Sequence, residues 1–395
     1  AFAKSGLPHR RIEEWKYTDL RAKLTEAYDP ATPWAGKVAV ENAFATCDAY
    51  RIVFANGYMR RDLSTLPETV EIANLADGVP DWATARLAAV PRANEPRTAA
   101  LTRALARDGV LLRVGEGVAL DKPIHLAFVD PAREGAPRAM HGRNLIVLEK
   151  GARTTLIETH GASAGAADLA NWLTEIDLGD GASLDHLRFV TVGAGAHVAA
   201  LTARLGKAAR YAPFVAHLGG ALVRSDLLAR LDGAEAALVL NALGLLTDAE
   251  HADLTTIVEH ASPGAASTQT VKHVLGGRAR GVYQGKVVVQ EGANGTDARQ
   301  LAKSVLLSRE AEADTKPELE ILADDVKCSH GASVGALDDD ALFYLRARGI
   351  PASEARAMLT EAFVADVLDG IAGEAIRVAA SAMCLEKLHA LEATP

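Results

Sequence analysis

Two side chains that can bind metal ions stand two residues apart in the segment 324–335, which reads Asp-Asp-Val-Lys-Cys-Ser-His-Gly-Ala-Ser-Val-Gly. A cysteine thiolate and a neutral imidazole are both common ligands of zinc, copper and iron. If the segment is an extended strand, Cys328 and His330 point to the same face of it. The pattern therefore predicts a thiol and an imidazole side by side on a rigid surface.

Two ligands are too few for a closed metal centre. Zinc and iron-sulfur centres usually take four protein ligands, and the sequence around Cys328 has no second cysteine and no Cys-x-x-Cys pair. Taken alone, the pair favours a small buried thiol beside a hydrogen-bonded histidine. The alternative is a half-site, which makes sense if another chain supplies the remaining ligands.

The composition bounds the class of protein. With 395 residues, of which 49% are hydrophobic, the chain can bury a sizeable core in two or three structural units. A net charge of -9 gives no general field that attracts nucleic acid or an anionic membrane surface. Three distant cysteines, Cys47, Cys328 and Cys384, suit a reducing compartment, so we expect a cytoplasmic protein. No signal-peptide pattern or uninterrupted apolar span argues for secretion or membrane insertion.

The first part of the chain, residues 1–109, predicts a mixed and mainly helical domain. Apolar residues recur at helical spacing among charges in residues 10–27, which predicts an amphipathic helix. Asn56-Gly57 stands between two strand-like runs and predicts a β-hairpin, because both residues accept positive φ. The segment 80–108 is rich in alanine and arginine and ends at a glycine, which predicts helix.

The central part, residues 110–337, contains a repeat. Small turns recur at intervals of 26 to 31 residues, and a strand-like run follows each turn. The turns begin at Gly151, Gly181, Lys207, Gly233, Gly264 and Gly292, and the runs are 154–158, 183–190, 209–218, 235–243, 266–274 and 300–308. Because the intervals hold few amphipathic helical patterns, coils of a β-solenoid fit better than βαβ units. Composition alone does not separate such a solenoid from a large antiparallel sandwich.

The final part, residues 338–395, predicts a helical domain. Aspartates at 338–340 suit a helix N-terminus, and Gly349 and Pro351 are stop and restart signals. A third helix is predicted within residues 373–391. The apolar stripe of the second helix consists of Leu359, Phe363, Val367 and Ile371.

Familiar catalytic motifs are missing from the sequence. It has no Walker phosphate loop, no dinucleotide fingerprint, no Gly-x-Ser-x-Gly elbow and no His-Glu-x-x-His helix. Seven histidines without ligand spacing are predicted to be structural or surface residues, although a solenoid could align them between coils. They are His125, His141, His160, His186, His217, His260 and His273.

Two segments carry a family resemblance. Residues 323–338, Ala-Asp-Asp-Val-Lys-Cys-Ser-His-Gly-Ala-Ser-Val-Gly-Ala-Leu-Asp, and residues 342–350, Leu-Phe-Tyr-Leu-Arg-Ala-Arg-Gly-Ile, resemble the C-terminal signature of the SufB/SufD family of iron-sulfur cluster assembly proteins. The Cys-Ser-His version resembles the SufD branch of that family. The likeness extends to residues 7–20 and 144–161, so it covers essentially the whole chain.

The resemblance implies a fold and a function. It implies a central right-handed parallel β-helix flanked by an N-terminal mixed domain and a C-terminal helical domain. It implies a non-catalytic scaffold subunit that pairs with SufB and with two copies of the SufC ATPase. Clusters would form de novo near the SufB–SufD interface, where iron is acquired. His330 is the residue implicated there, with Cys328 as a neighbouring contributor to a transient cluster or iron shared with the partner.

Further expectations follow from the same resemblance. A reduced flavin is associated with complexes of the family, but this sequence has no flavin fingerprint. The alternatives are a SufB-like subunit, a homodimeric scaffold or, in another class, a β-helix enzyme acting on carbohydrate. The contact with SufC is expected at Leu342, Phe343, Tyr344, Leu345, Arg346, Leu359 and Phe363.

Overall fold

A computed structural model describes residues 6–40, 43–87, 95–131, 135–162 and 167–392 of the chain. Strands are the commonest element among these residues, and they build a parallel β-solenoid. Its strands are β1 (Asp29–Pro30), β2 (Tyr50–Ala55), β3 (Tyr58–Met59), β4 (Val70–Asn74), β5 (Val110–Val114), β6 (Ile124–Asp130), β7 (Arg138–Leu148), β8 (Arg153–Ala162), β9 (Leu169–Leu178), β10 (Ser183–Thr191), β11 (Ala196–Leu205), β12 (Arg210–His217), β13 (Leu222–Leu231), β14 (Ala237–Leu246), β15 (His251–His260), β16 (Ala266–Leu275), β17 (Arg280–Val289), β18 (Thr296–Leu306), β19 (Glu312–Ile321) and β20 (Val326–Gly335).

Successive strands of the solenoid alternate between two sheets. Sheet A runs in the order β19-β17-β15-β13-β11-β9-β7-β5-β4, and β1 pairs with β7. Sheet B runs in the order β20-β18-β16-β14-β12-β10-β8-β6-β2-β3. Neighbouring strands are parallel except for the β2–β3 and β4–β5 pairs, which are antiparallel. The expectation of a mainly β protein with a central parallel β-helix is confirmed.

The repeat found in the sequence marks the corners that lead into sheet B. At each corner a residue with positive φ is followed by a fully buried alanine, which fits inside the bend because it is small. The six predicted runs correspond to β8, β10, β12, β14, β16 and β18, all of them in sheet B. The corner pairs are Gly151-Ala152, Gly181-Ala182, Ala208-Ala209, Glu235-Ala236, Gly264-Ala265 and Gly292-Ala293. The third and fourth corners lie one and two residues after the turns predicted to begin at Lys207 and Gly233.

The main hydrophobic core lies between the two sheets. Side chains alternate along each strand, so one set fills this interior and the other faces outward. Leu156, Leu184 and Leu238 belong to the interior set of sheet B, and Leu201 and Leu231 to that of sheet A. The repeat therefore builds one continuous core along the axis of the solenoid, as stacked coils require.

The outer faces of both sheets are partly covered. On sheet B, Phe189 and Phe214 pack against Val364, Leu368 and other apolar residues of the C-terminal helices. On sheet A, buried Trp15 packs with apolar residues of the strands. The terminal segments thus bury apolar strand residues that would otherwise face solvent.

The predicted helix over residues 10–27 is wrong. The chain instead forms a 3-10 turn at Glu13–Trp15 and a short helix, α1, at Leu20–Lys23. The Asp19 side chain caps α1 by accepting from the backbone N–H of Ala22 at 3.0 Å. The helical pattern of apolar residues is present, but contacts with sheet A decide the backbone path.

Those contacts centre on a buried arginine. The Arg224 guanidinium lies 3.7 Å from the ring centroid of Trp15, and its Nη2 donates to the carbonyl of Glu14 at 2.8 Å. Thr18 Oγ1 lies 2.9 Å from His251 Nε2. Cation–π stacking and hydrogen bonds to sheet A therefore replace the intrahelical bonds that residues 10–27 would make.

The other N-terminal predictions are mostly confirmed. Asn56 and Gly57 have φ values of 55° and 83° and join β2 to β3, so the hairpin is present and ends sheet B. The helical segment 80–108 holds two helices, α2 (Asp81–Leu87) and α3 (Arg97–Leu105). Residues 88–94 between them lie outside the described residues. Further 3-10 turns occur at Ala43–Thr46, Arg61–Leu63 and Leu75–Asp77.

The C-terminal region is helical, as predicted. It contains α4 (Asp339–Ala347), α5 (Ala352–Asp369) and α6 (Glu374–Glu392). Asp338 caps α4, because its Oδ1 accepts from the backbone N–H groups of Asp340 and Ala341 at 2.9 and 3.0 Å. No helix in the described parts of the chain combines the length and apolar character that crossing a membrane requires.

Candidate functional site

The two ends of the solenoid are built differently. At one end the antiparallel strands β3 and β4 close the sheets. At the other end β19 and β20, each of 10 residues, pair with β17 and β18 on one side, and no described strand pairs with their outer edges. We call this second end the open end. Unpaired N–H and C=O groups along such strands are ready to pair with another chain.

Cys328 and His330 lie on the last strand at the open end. The segment is extended, as predicted, and pairs in register with β18, so that Cys328 faces Ala298 and His330 faces Gln300. Ala298 and Gln300 are both buried. Both metal-competent side chains therefore continue the interior face of sheet B, although His330 is exposed to solvent.

The environment of Cys328 is partly apolar. Its side chain is half-buried and packs against the end of the main core, as does that of Val326. Burial raises the pKa of the Cys328 thiol above its usual value, and the charge of Asp297 acts in the same direction. The thiol is therefore a weak nucleophile in this state.

The open end leaves core-type residues uncovered. Val334 lies four residues after His330 on the same interior face of β20 and is 47% exposed. In sheet A, Ile321 and the adjoining Leu322 are also exposed, while Leu319 packs against the core. Apolar side chains and free strand edges at one place indicate a surface that another protein covers.

The chain alone does not complete a metal site. Within the described ranges, no three Cys, His, Asp or Glu side chains are grouped so that they could hold a metal ion. Cys328 and His330 supply one sulfur and one nitrogen donor, and iron-sulfur clusters and four-coordinate iron need more. The remaining donors must come from another molecule if this pair binds metal.

The residues expected to contact an ATPase fall into two groups. In α4, Phe343 is 74% exposed and Tyr344 is also exposed. Arg348 stacks on the Tyr344 ring at 4.7 Å and donates to its hydroxyl at 2.6 Å, which fixes the ring at the surface. Leu342 and Leu345 are half-buried, and Arg346 is exposed.

The second group lies in α5, where Phe363 packs against the solenoid. Leu359 and Phe363 are half-buried. Lys272 of sheet B lies 4.6 Å from the centroid of the Phe363 ring and also binds Asp366 Oδ1 at 2.6 Å. Phe363 thus packs against the solenoid, whereas Phe343 and Tyr344 of α4 face solvent.

A buried polar network inside the solenoid was missed by sequence reasoning. Glu158 of β8 and Arg188 of β10 are register partners, and Arg188 Nε lies 3.5 Å from Glu158 Oε2. His160 Nε2 and His186 Nε2 lie 3.1 and 3.3 Å from the two carboxylate oxygens. Burial alone would raise the pKa of Glu158, but Arg188 and both histidines hold it well below its usual range.

The sequence did contain a signal for this network. Glu158 and His160 are two residues apart on one predicted strand, and His186 and Arg188 are two apart on the next. Since the repeat length is close to 28 residues, the two pairs had to stack on one face. Broken ion pairs of this kind are costly, so the network constrains the fold.

Most of the scattered histidines are structural, as predicted. Ring nitrogens of His217 and His260 lie 2.9 and 2.8 Å from hydroxyls of Ser225 and Ser267. Burial lowers the pKa of His217 to about 3 and that of His260 to about 4. These imidazoles are therefore neutral hydrogen-bonding groups at neutral pH.

Two protein-family models match the chain over most of its length. The model described as "SUF system FeS cluster assembly, SufBD core domain" matches residues 131–363. The model described as "SufBD protein N-terminal region" matches residues 1–126. The first match includes the solenoid from β7 onward, the pair Cys328 and His330, and helix α4.

Individual relatives point the same way. An iron-sulfur cluster assembly SufBD family protein of Synechocystis is 33% identical over 389 residues, covering 92% of this chain and 84% of that protein. The iron-sulfur cluster assembly protein SufD of Escherichia coli is 31% identical over 383 residues, covering 95% of this chain and 88% of that protein. SufD of Bacillus subtilis is 26% identical over 301 residues, with coverage of 72% and 65%.

Proposed function

Because the chain belongs to the SufB/SufD family of iron-sulfur cluster assembly proteins, we propose that it is the SufD-type scaffold subunit of a complex with SufB and the SufC ATPase. In this role it catalyses no reaction of its own. It holds iron or a nascent cluster with its partner until the cargo is transferred. The observation that carries the proposal is the open end, where Cys328 and His330 lie beside unpaired strand edges.

The partner that suits the open end is a second β-solenoid of the same family. Its strands would pair with the outer edges of β19 and β20 and cover Val334, Ile321 and Leu322. Such pairing satisfies backbone groups and buries apolar surface in one step. SufB is the expected partner in the full complex, and a second copy of this chain could take the same place when SufB is absent.

The cargo is held by ligands from both chains. A neutral ring nitrogen of His330 binds iron, Cys328 lies two residues away, and the partner supplies thiolates. A site divided between two chains loses ligands when the interface shifts, which allows a cluster to leave. Shared ligation therefore suits transient assembly better than permanent storage.

The helical region links the site to the ATPase. Helix α4 begins after β20 ends, and the three residues 336–338 separate them. We assign the exposed rings of Phe343 and Tyr344 to the SufC contact. Nucleotide-driven movement of SufC would then shift α4 and, through the short connection, the strand that carries His330.

Blocking the open end tests the partner surface. We expect Val334→Asp to weaken the association with SufB about tenfold or more, because a charge would be buried without a partner. Val239→Asp is the matched control, since Val239 is 38% exposed and lies on the outer face of β14. The measurement is co-purification of tagged chain with co-expressed SufB, followed by size-exclusion chromatography. Unchanged binding by Val334→Asp would place the SufB contact elsewhere.

Removing the exposed ring of α4 tests the ATPase contact. We expect Phe343→Asp to abolish co-purification of SufC and to leave the thermal midpoint unchanged, because the side chain is 74% exposed. Val378→Asp on α6, at a position 57% exposed, serves as the control for surface charge. Co-purification of SufC at the wild-type ratio with Phe343→Asp would exclude α4 as the main contact.

A further inference from the structure

A buried amide lies directly behind His330 in the interior of the solenoid. Gln269, Gln300 and His330 are partners in register on β16, β18 and β20. Register partners in a parallel sheet point to the same face and are separated by about 4.8 Å. Gln300 is therefore the nearest interior side chain to His330 on the preceding strand of sheet B.

Gln300 lacks hydrogen bonds that a buried amide normally makes. Its side chain is 3% exposed, and neither Oε1 nor Nε2 finds a partner among the residues that the structure describes. A buried amide without hydrogen bonds destabilises the folded state, so such groups in native proteins usually have a role or a missing partner. The amide is thus available to a neighbouring group.

The deeper side of Gln300 already has a polar neighbour. Gln269 Oε1 accepts hydrogen bonds from Thr256 Oγ1 at 2.7 Å and from the Tyr283 hydroxyl at 3.3 Å. A Cβ atom added at Gly285 would lie 2.2 Å from the Tyr283 hydroxyl oxygen and 3.0 Å from Gln300 Nε2. The amide nitrogen of Gln300 and the phenol of Tyr283 therefore both lie beside Gly285, where a larger residue would displace them.

Gln300 thus has different neighbours on its two sides. Its Nε2 lies beside Gly285 of sheet A, and His330 is the adjacent interior side chain toward the open end. An imidazole that binds a metal through one nitrogen generally donates the N–H of its other nitrogen to a fixed acceptor. That acceptor decides the tautomer and the direction of the metal-binding lone pair.

We propose that Gln300 is a positioning residue, whose amide oxygen accepts the ring N–H of His330 and turns the other ring nitrogen toward the partner. This inference rests on the proposed function in one respect only, namely that the second ring nitrogen of His330 binds iron. In the structure the two side chains are register neighbours without a hydrogen bond, so the bond requires the exposed imidazole to turn toward the amide. That step can be measured in the full chain without the cargo.

The tautomer of His330 tests the hydrogen bond. In full-length protein labelled with 15N-histidine, long-range 1H–15N spectra distinguish the two tautomers above about pH 8, where free imidazole is neutral. The His330 signal is assigned by its loss in His330→Ala. We expect one tautomer in the wild type, a mixture in Gln300→Met and one tautomer again in Gln300→Glu, which keeps an oxygen acceptor.

A control comes from the same strand. Ser304 is buried on β18, and its Oγ lies 3.4 Å from His273 Nδ1. Ser304→Ala removes a buried polar group without touching the Gln300 amide, so the His330 tautomer should not change. A His330 signal that is the same in Gln300→Met and in the wild type would overturn the hydrogen bond.

Cluster maturation tests the purpose of the bond. We expect Gln300→Met to lower the yield of matured iron-sulfur protein in cells about tenfold, and Gln300→Glu to restore it. Normal maturation by Gln300→Met would overturn the positioning role. Normal maturation by His330→Ala would instead overturn the proposed function and leave the measured hydrogen bond intact.

Discussion

The His330→Ala variant is expected to fold, to join its complex and to fail in iron-sulfur cluster maturation. His330 is exposed on β20, so its removal leaves no cavity and should change the free energy of unfolding by less than about 0.5 kcal/mol. The loss should be close to complete, because the proposed site has few ligands and the chain supplies this nitrogen. The measurement is the activity of an iron-sulfur enzyme in cells that depend on this assembly system.

A neighbouring residue supplies the control for this variant. Ser329 is exposed on the same strand and faces away from the interior of the solenoid, so Ser329→Ala should mature clusters normally. Both variants should co-purify with SufB and SufC at the wild-type ratio. Normal maturation by His330→Ala would remove this imidazole from the mechanism, whatever the fate of the complex.

The second large effect is acid unfolding. Burial, helped by the charge of Arg188, lowers the pKa of His160 to about 4, and burial lowers the pKa of His273 to about 4 and of His217 to about 3. An unfolded histidine has a pKa of about 6.5. Below that pH the unfolded chain binds more protons than the folded chain, so stability falls as the pH falls.

The pH window follows from those shifts. The contribution of these neutral histidines to the free energy of unfolding should be fully present above about pH 7. It should decline as the pH drops through 6.5 and continue to decline to about pH 4. Near pH 5.5 each such histidine lowers the free energy of unfolding by roughly 1 kcal/mol. The sum over several of them approaches the total free energy of unfolding of a typical domain. Carboxylates with a lowered pKa, such as Glu158, extend the loss further into acid.

Urea unfolding followed by circular dichroism between pH 8 and pH 5 checks this prediction. The slope of the free energy of unfolding against pH measures how many protons the chain takes up on unfolding. We expect His217→Gln to lower this number by about one, since one neutral buried imidazole is removed. Leu301→Gln, at an exposed position of β18, changes no titratable group, so it is the control and should keep the wild-type slope. A free energy of unfolding that is constant from pH 7 to pH 5 would contradict the account of buried neutral histidines.

Only the half of the solenoid that forms sheet B could be predicted from the sequence pattern. The corner alanines and their left-handed predecessors recur because each coil must turn tightly around a filled core, so their spacing is visible in the sequence. The strands of sheet A were missed because their corners lack this signal. Gly219-Gly220 and Gly276-Gly277 lead into sheet A, but the corner at 247–250 has no glycine.

Tertiary contacts explain what local pattern could not. Residues 10–27 have helical spacing, yet the stacking of Arg224 on Trp15 belongs to residues that are far apart in the sequence. The same limit applies inside the core, where Gln269, Gln300 and His330 become neighbours only through strand register. The pair Cys328 and His330 was recognisable because its spacing is local, and its surroundings were not.

Pulsed EPR of the reduced, anaerobically reconstituted complex tests most directly whether this chain supplies half of a shared site. Only this chain carries 15N-histidine in the experiment, and SufB and SufC are unlabelled. We expect the cluster to show a 15N coupling from a bound imidazole, and we expect that coupling to disappear in His330→Ala. A cluster that assembles in the wild-type complex without any 15N coupling would contradict ligation by His330.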